Sequence, residues 1–145
     1  AEANAAQEAA RTGVSVLTTI HSNSCEATYR RMVSLCKRAV DMSDQTLMDY
    51  VTEAYPIVVF CKQLENKQRR MMEIQECEIL SDGSRHFRPL FQYVITENRM
   101  EDGNFIIEGH HEQVNTISDS LAKRLLENGM PQPLIDQLRS EVKIA

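Results

Sequence analysis

The sequence contains no phosphate-binding loop of the form G-x-x-x-x-G-K-[ST]. None of its five glycines is followed by lysine; the next residues are Val14, Ser84, Asn104, His110 and Met130. Such a loop wraps phosphates in backbone N–H groups, so these residues offer no cradle of that kind. The shortage of glycine also excludes the G-x-G-x-x-G dinucleotide fingerprint, and no G-x-S-x-G elbow marks a serine hydrolase of the common α/β kind. The four cysteines, Cys25, Cys36, Cys61 and Cys77, form no C-x-x-C pair that could clamp zinc or exchange thiols. Reduced, cytosolic, mostly structural cysteines are therefore expected. No H-E-x-x-H spacing surrounds His21, His86, His110 or His111, so no metal site is expected. No apolar run approaches the ~20 residues of a membrane helix, and no signal-peptide pattern is present.

What is there describes a globular domain. The 145 residues are 42% hydrophobic, and 16 Lys+Arg against 21 Asp+Glu give a net charge of −5. An acidic balance argues against electrostatic capture by nucleic acid or an anionic membrane. The chain opens on Ala1, with an Ala-rich helical pattern under way by Ala3, which suggests a piece of something longer.

The spacing predicts a helix from Glu2 to Thr12 closed by Gly13, where a left-handed cap would sit. Val14 to Ile20 is a β-branched run of strand length, and a run apolar on both faces points to a parallel sheet flanked by helices. Tyr29, Met32, Val33, Cys36 and Val40 then recur at helical steps, which predicts a helix over 26–39. Ser43 caps the next helix, with Met42 and Leu47 placed as a staple, and Pro56 stops it. Strands are predicted at Ile57–Cys61, Arg69–Leu80, His86–Ile95 and Phe105–His110. Polar turns at Glu65–Lys67, Ser81–Ser84 and Glu101–Asn104 separate them, so the middle of the chain reads as antiparallel. Ile117, Leu121 and Leu125 form a last stripe closed by Gly129, and Pro131 and Pro133 introduce a short helix with Leu134 and Leu138.

The chemistry concentrates at the end of the first strand candidate, in Thr18-Thr19-Ile20-His21 with Asn23 behind it. Ligands of open α/β sheets bind at such strand ends. A histidine there can donate a hydrogen bond to a phosphate oxygen, and threonine hydroxyls can hold a water or a Mg²⁺-bound group. Spacing alone leaves open the commoner alternative, in which His21 is a turn residue and the threonines ordinary strand residues. Arg31, ten residues after His21, can reach the same phosphate, a neighbouring subunit, or only solvent beside Arg30, Lys37 and Arg38. Arg69, Arg70 and Glu76 read as exposed cross-strand charges, His110 and His111 as surface residues, and the methionines as gap-fillers.

The stretch Glu8-Ala9-Ala10-Arg11-Thr12-Gly13, then Thr18-Thr19-Ile20-His21, Asn23-Ser24 and Arg31, resembles the histidine box of the type II/type IV secretion ATPases. It most resembles the branch that powers tight-adherence pili and conjugation-type secretion. Looser likenesses continue in Ala54–Val59, in Arg69-Arg70 with Ile74 and Glu76, in Pro89-Leu90-Phe91 and in Leu125–Pro131. Val14 stands where that family usually has His, and Pro56 where it often has Asp.

The resemblance implies a fold and a function. The fold would be α/β, the C-terminal part of a RecA-like P-loop ATPase core over 1–80 with a parallel sheet and flanking helices. An extension of β-hairpins and a small helical region would follow over 81–145. The function would be that of a hexameric motor coupling ATP hydrolysis to protein secretion or pilus assembly. His21, Thr18, Thr19 and Arg31 would be its catalytic residues, with His21 and Asn23 touching the nucleotide. ATP and Mg²⁺ would act in the full-length protein and not bind this piece tightly. The partners would be copies of itself and inner-membrane secretion or pilus components, at the cytoplasmic face of the inner membrane, with neither nucleic acid nor a membrane span of its own. A non-catalytic adaptor keeping the fold is the competing expectation.

Overall fold

The computed structural model describes residues 1–140; residues 141–145, the end of the expected C-terminal extension, lie outside them. Three helices come first: α1 (Glu2–Arg11), α2 (Cys25–Cys36) and α3 (Asp44–Ala54). Gly13 takes φ +94°, and the Val14 N–H donates to the Ala9 carbonyl, which closes α1 as a Schellman turn. Ser24 Oγ accepts from the Ala27 N–H and Ser43 Oγ from the Thr46 N–H, satisfying donors that α2 and α3 would otherwise leave open. Tyr55 leaves the helical region because Pro56 follows it, and α3 ends there.

Four strands follow, β1 (Ile57–Gln63), β2 (Arg69–Ile79), β3 (Arg85–Glu101) and β4 (Asn104–Gln113), in spatial order β1-β2-β3-β4. All three pairings are antiparallel. The Asp102-Gly103 turn takes positive φ at both residues, 49° and 79°, the two-residue geometry that matches the twist of a hairpin. Helices α4 (Asp119–Glu127) and α5 (Gln132–Arg139) complete the described chain.

The RecA-like parallel core is therefore corrected: among the described residues the only sheet is antiparallel. Parallel neighbours need a crossover of a dozen or more residues, whereas β1 reaches β2 through the short turn Leu64–Gln68 and must return alongside it. Among the described residues the run Val14–Ile20 joins no ladder. Its β-branched composition favours an extended backbone but cannot supply a neighbour.

Side chains alternate across the sheet, and each face carries its own core. On one face Cys77 meets Tyr29, Met32, Val33, Cys36, Leu47 and Val51 of α2 and α3. On the other, Ile74, Leu90 and Phe91 meet Ile117, Leu121, Ala122 and Ile135, which seats α4 and α5. Three of the four cysteines are buried and all are free thiols. Burial pushes the Cys25 thiol up to about 12 and the Cys77 thiol to about 11, so both stay protonated and inert.

Beyond Gln92, β3 pairs only with β4, so the hairpin leaves the sheet as a two-stranded ribbon with a register shift between Ile95 and Glu97. Arg99 bridges Glu97 and Glu108 at 3.0 Å each on one face of it. Gly109 is required where the ribbon begins: a Cβ there would lie 2.4 Å from the Val94 carbonyl oxygen and 2.9 Å from the Tyr93 ring. Gly109→Ala is expected to cost about 2–3 kcal/mol as β3 and β4 are forced apart, read as a lower urea midpoint at unchanged slope. A midpoint equal to the parent's would show that the ribbon yields freely.

Candidate functional site

The residues singled out by sequence fall between α1 and α2. From Ser15 to Asn23 no backbone N–H or C=O bonds another backbone group among the described residues. Ile20 is the anchor, packed against the α2–α3 core, and Val16 is half-buried. Thr18, Thr19, His21 and Asn23 are all exposed, and Leu17 is 98% exposed. Ser22 Oγ donates to the Ser24 carbonyl at 3.3 Å, and Ser24 caps α2, so the segment is pinned at both ends and bare between them.

Arg31 is exposed on α2, because Met32 and Val33 turn inward. Its neighbours are partly neutralised: Arg30 pairs with Glu26 at 2.7 Å and Lys37 pairs with Asp44. Arg31 makes no ion pair among the described residues, and its guanidinium stays available to an anion from outside the chain. The structure thus places Thr18, Thr19, His21 and Asn23 together on one segment and Arg31 on the helix that follows. It joins none of them to another by a hydrogen bond among the described residues.

Two cavities, of about 190 and 280 Å³, lie away from these residues: one over Thr52, Glu76, Ser120 and Arg124, the other under the ribbon at Lys62, Leu64, Ile95, Phe105 and Ile107. Neither is lined by Thr18, Thr19, His21, Asn23 or Arg31. Among the described residues no three His, Cys, Asp or Glu side chains are placed to hold a metal ion. What the segment can do chemically is donate: imidazole, amide, hydroxyls and a guanidinium are ready partners for anionic oxygens held by something else.

Sequence reasoning misplaced Glu76. It is 1% exposed, not a surface charge, and accepts from the Ser118 N–H at 3.0 Å and from the Ser118 hydroxyl. Ser118 in turn caps α4 through the Leu121 N–H. The signal was available in the alternation, since Glu76 shares a strand face with Ile74, which points into the second core. A second arrangement missed is the tilted packing of Tyr93 against His111, centroids 4.9 Å apart, with Arg70 5.9 Å from the Tyr93 ring. His110 and His111 are exposed, as surface residues should be, and His111 Nε2 lies 3.0 Å from the Met71 carbonyl oxygen.

No helix among the described residues is long and apolar enough to cross a membrane. No protein-family model matches the chain, and no curated protein matches it.

Proposed function

We propose that this chain serves as part of a secretion or pilus-assembly ATPase, to which it brings the Thr18–Asn23 segment and Arg31. The observation that carries this reading is the state of that segment: Thr18, Thr19, His21 and Asn23 are exposed hydrogen-bonding side chains on a stretch whose backbone bonds no other backbone among the described residues. Exposed donors in an unpaired segment are one side of a site, not a whole one. The other side, including the phosphate loop that these 145 residues do not contain, comes from a polypeptide that packs against it. His21 and Arg31 then act as charge-stabilising contacts, which need position more than an unusual pKa.

The test is ATP turnover by the full-length polypeptide that carries both this chain and a G-x-x-x-x-G-K-[ST] loop. His21→Ala is expected to lower turnover by about 100-fold or more, the loss typical of removing one preorganised donor, with the thermal midpoint unchanged. Turnover equal to the parent's would sink the assignment. A second reading, an interaction module without hydrolysis, is favoured by the 98% exposure of Leu17 and by the apolar cavity under the ribbon. It predicts that no polypeptide containing this chain carries such a loop.

A further inference from the structure

The segment Val14–Ile20 has an internal symmetry that the ATPase reading does not use. Read toward its centre from both ends, it places Val14 against Ile20, Ser15 against Thr19 and Val16 against Thr18, with Leu17 in the middle. Each pair matches in kind: aliphatic with aliphatic, hydroxyl with hydroxyl, β-branched with β-branched. Side chains directly opposite in an antiparallel pair lie about 4.5–5.5 Å apart at Cβ, and matched β-branched and hydroxyl pairs are the favoured ones.

The backbone is prepared for such a partner. Its N–H and C=O groups from Ser15 to Asn23 are unpaired with other backbone among the described residues, and Val14 to Ile20 forms neither helix nor turn. Val16 and Ile20 are half-buried, whereas Val14, Ser15, Leu17, Thr18 and Thr19 are exposed. No charged residue lies between Thr12 and His21, so two copies can approach here despite a net charge of −5 on each. The two outer strands of the sheet are guarded differently: β1 is short, carries Lys62 and breaks register between Phe60 and Cys61, and β4 carries Glu108, His110 and Glu112. Charges and bulges of that kind discourage strand addition, and Val14–Ile20 has neither.

We propose that two copies of this chain associate by antiparallel pairing of Val14–Ile20 about a two-fold axis through Leu17. Val14 then faces the partner's Ile20, Ser15 the partner's Thr19, Val16 the partner's Thr18, and Leu17 the partner's Leu17. The interface is isologous, so it closes at two copies and does not grow into a fibre. His21 lies just past the end of each paired strand and stays open to solvent, so the pairing is independent of any role for His21.

Sedimentation velocity of the 145-residue chain over rising concentration should show monomer passing to dimer, and hydrogen exchange of amides 15–19 should slow over the same range. Leu17→Lys sets two like charges face to face and removes two buried leucines, so it should weaken the dimer about 100-fold or more. Leu17 is 98% exposed in the monomer, so this change should leave the monomer's fold and melting point alone. Register is read by cross-linking in a Cys61→Ser background, which removes the exposed native thiol. Under mild oxidation Leu17→Cys should form a disulfide-linked dimer, whereas Ser15→Cys, which faces Thr19 of the partner subunit, should not. A chain that stays monomeric to about 1 mM overturns the proposal. So does a dimer that survives Leu17→Lys, or one whose amides 15–19 still exchange freely, because association then runs through the ribbon or a sheet edge.

Discussion

Tyr29→Ala is expected to lower the unfolding free energy by about 4 kcal/mol, enough to leave much of the population unfolded at moderate temperature. Tyr29 is 1% exposed at the centre of the α2–α3 core, with the Phe87 ring 5.6 Å away across the sheet face. Its hydroxyl donates to the Tyr55 carbonyl at 2.6 Å, at the point where α3 gives way to β1. Burial raises the Tyr29 phenol above its ordinary range, so it stays a neutral donor at any working pH. Two effects add in the alanine variant: a ring-sized cavity, and a buried carbonyl that loses its donor. Tyr29→Phe separates them and should cost about 1–2 kcal/mol, the share of the hydrogen bond. Urea unfolding followed by far-UV circular dichroism measures both. Equal losses for the two variants would show that the hydroxyl, not the ring, carries the site.

Glu76→Ala should cost about 3 kcal/mol, through a different set of contacts. The carboxylate is a buried acceptor that holds the Ser118 N–H and hydroxyl, and Ser118 holds the first turn of α4. Removing it leaves the buried Ser118 N–H without an acceptor and its hydroxyl with only Ser120 Oγ, 2.9 Å away, and loosens the seat of α4 and α5 on the sheet. Hydrogen exchange should report this locally: amides over 119–139 lose protection first, while those of α2 keep theirs. Glu76→Gln keeps one acceptor oxygen of similar shape and should recover about half of the loss. If Glu76→Ala falls within about 0.5 kcal/mol of the parent, Ser118 has another acceptor and the link between β2 and α4 is not energetic.

The local structure was legible because it is decided by nearest neighbours in sequence. Ser43 caps the helix it precedes, Gly13 closes α1, and Asp102-Gly103 makes the tight hairpin. The strand β3 runs to Glu101, past the predicted end at Ile95, because β4 pairs with it beyond the apolar run. The antiparallel hairpins of the middle were legible from their turns; what could not be read was whether Val14–Ile20 would find a strand to pair with. Val14–Ile20 has the composition of a buried strand, yet pairing is a property of two segments, and among the described residues no second one pairs with it. The inward face of Glu76 was legible in the alternation, but its partner was not, because the acceptor role depends on Ser118, 42 residues away. His21 was found by its position in a motif, and its exposure agrees with what a polar turn residue does in any fold.

The two-stranded ribbon of β3 and β4 sets a rule for how this protein can change length. No residue between Gln92 and Gln113 belongs to either core. Trimming or adding two residues in each strand keeps Arg99-type charges on one face and Phe105-type side chains on the other, so arms of different reach are compatible with one body. A change of one residue per strand swaps the faces, turning the Arg99 cluster toward the cavity at Leu64 and setting Phe105 and Ile107 on the opposite side. Length in this arm is therefore counted in pairs, and relatives of this chain should differ there by even numbers of residues per strand.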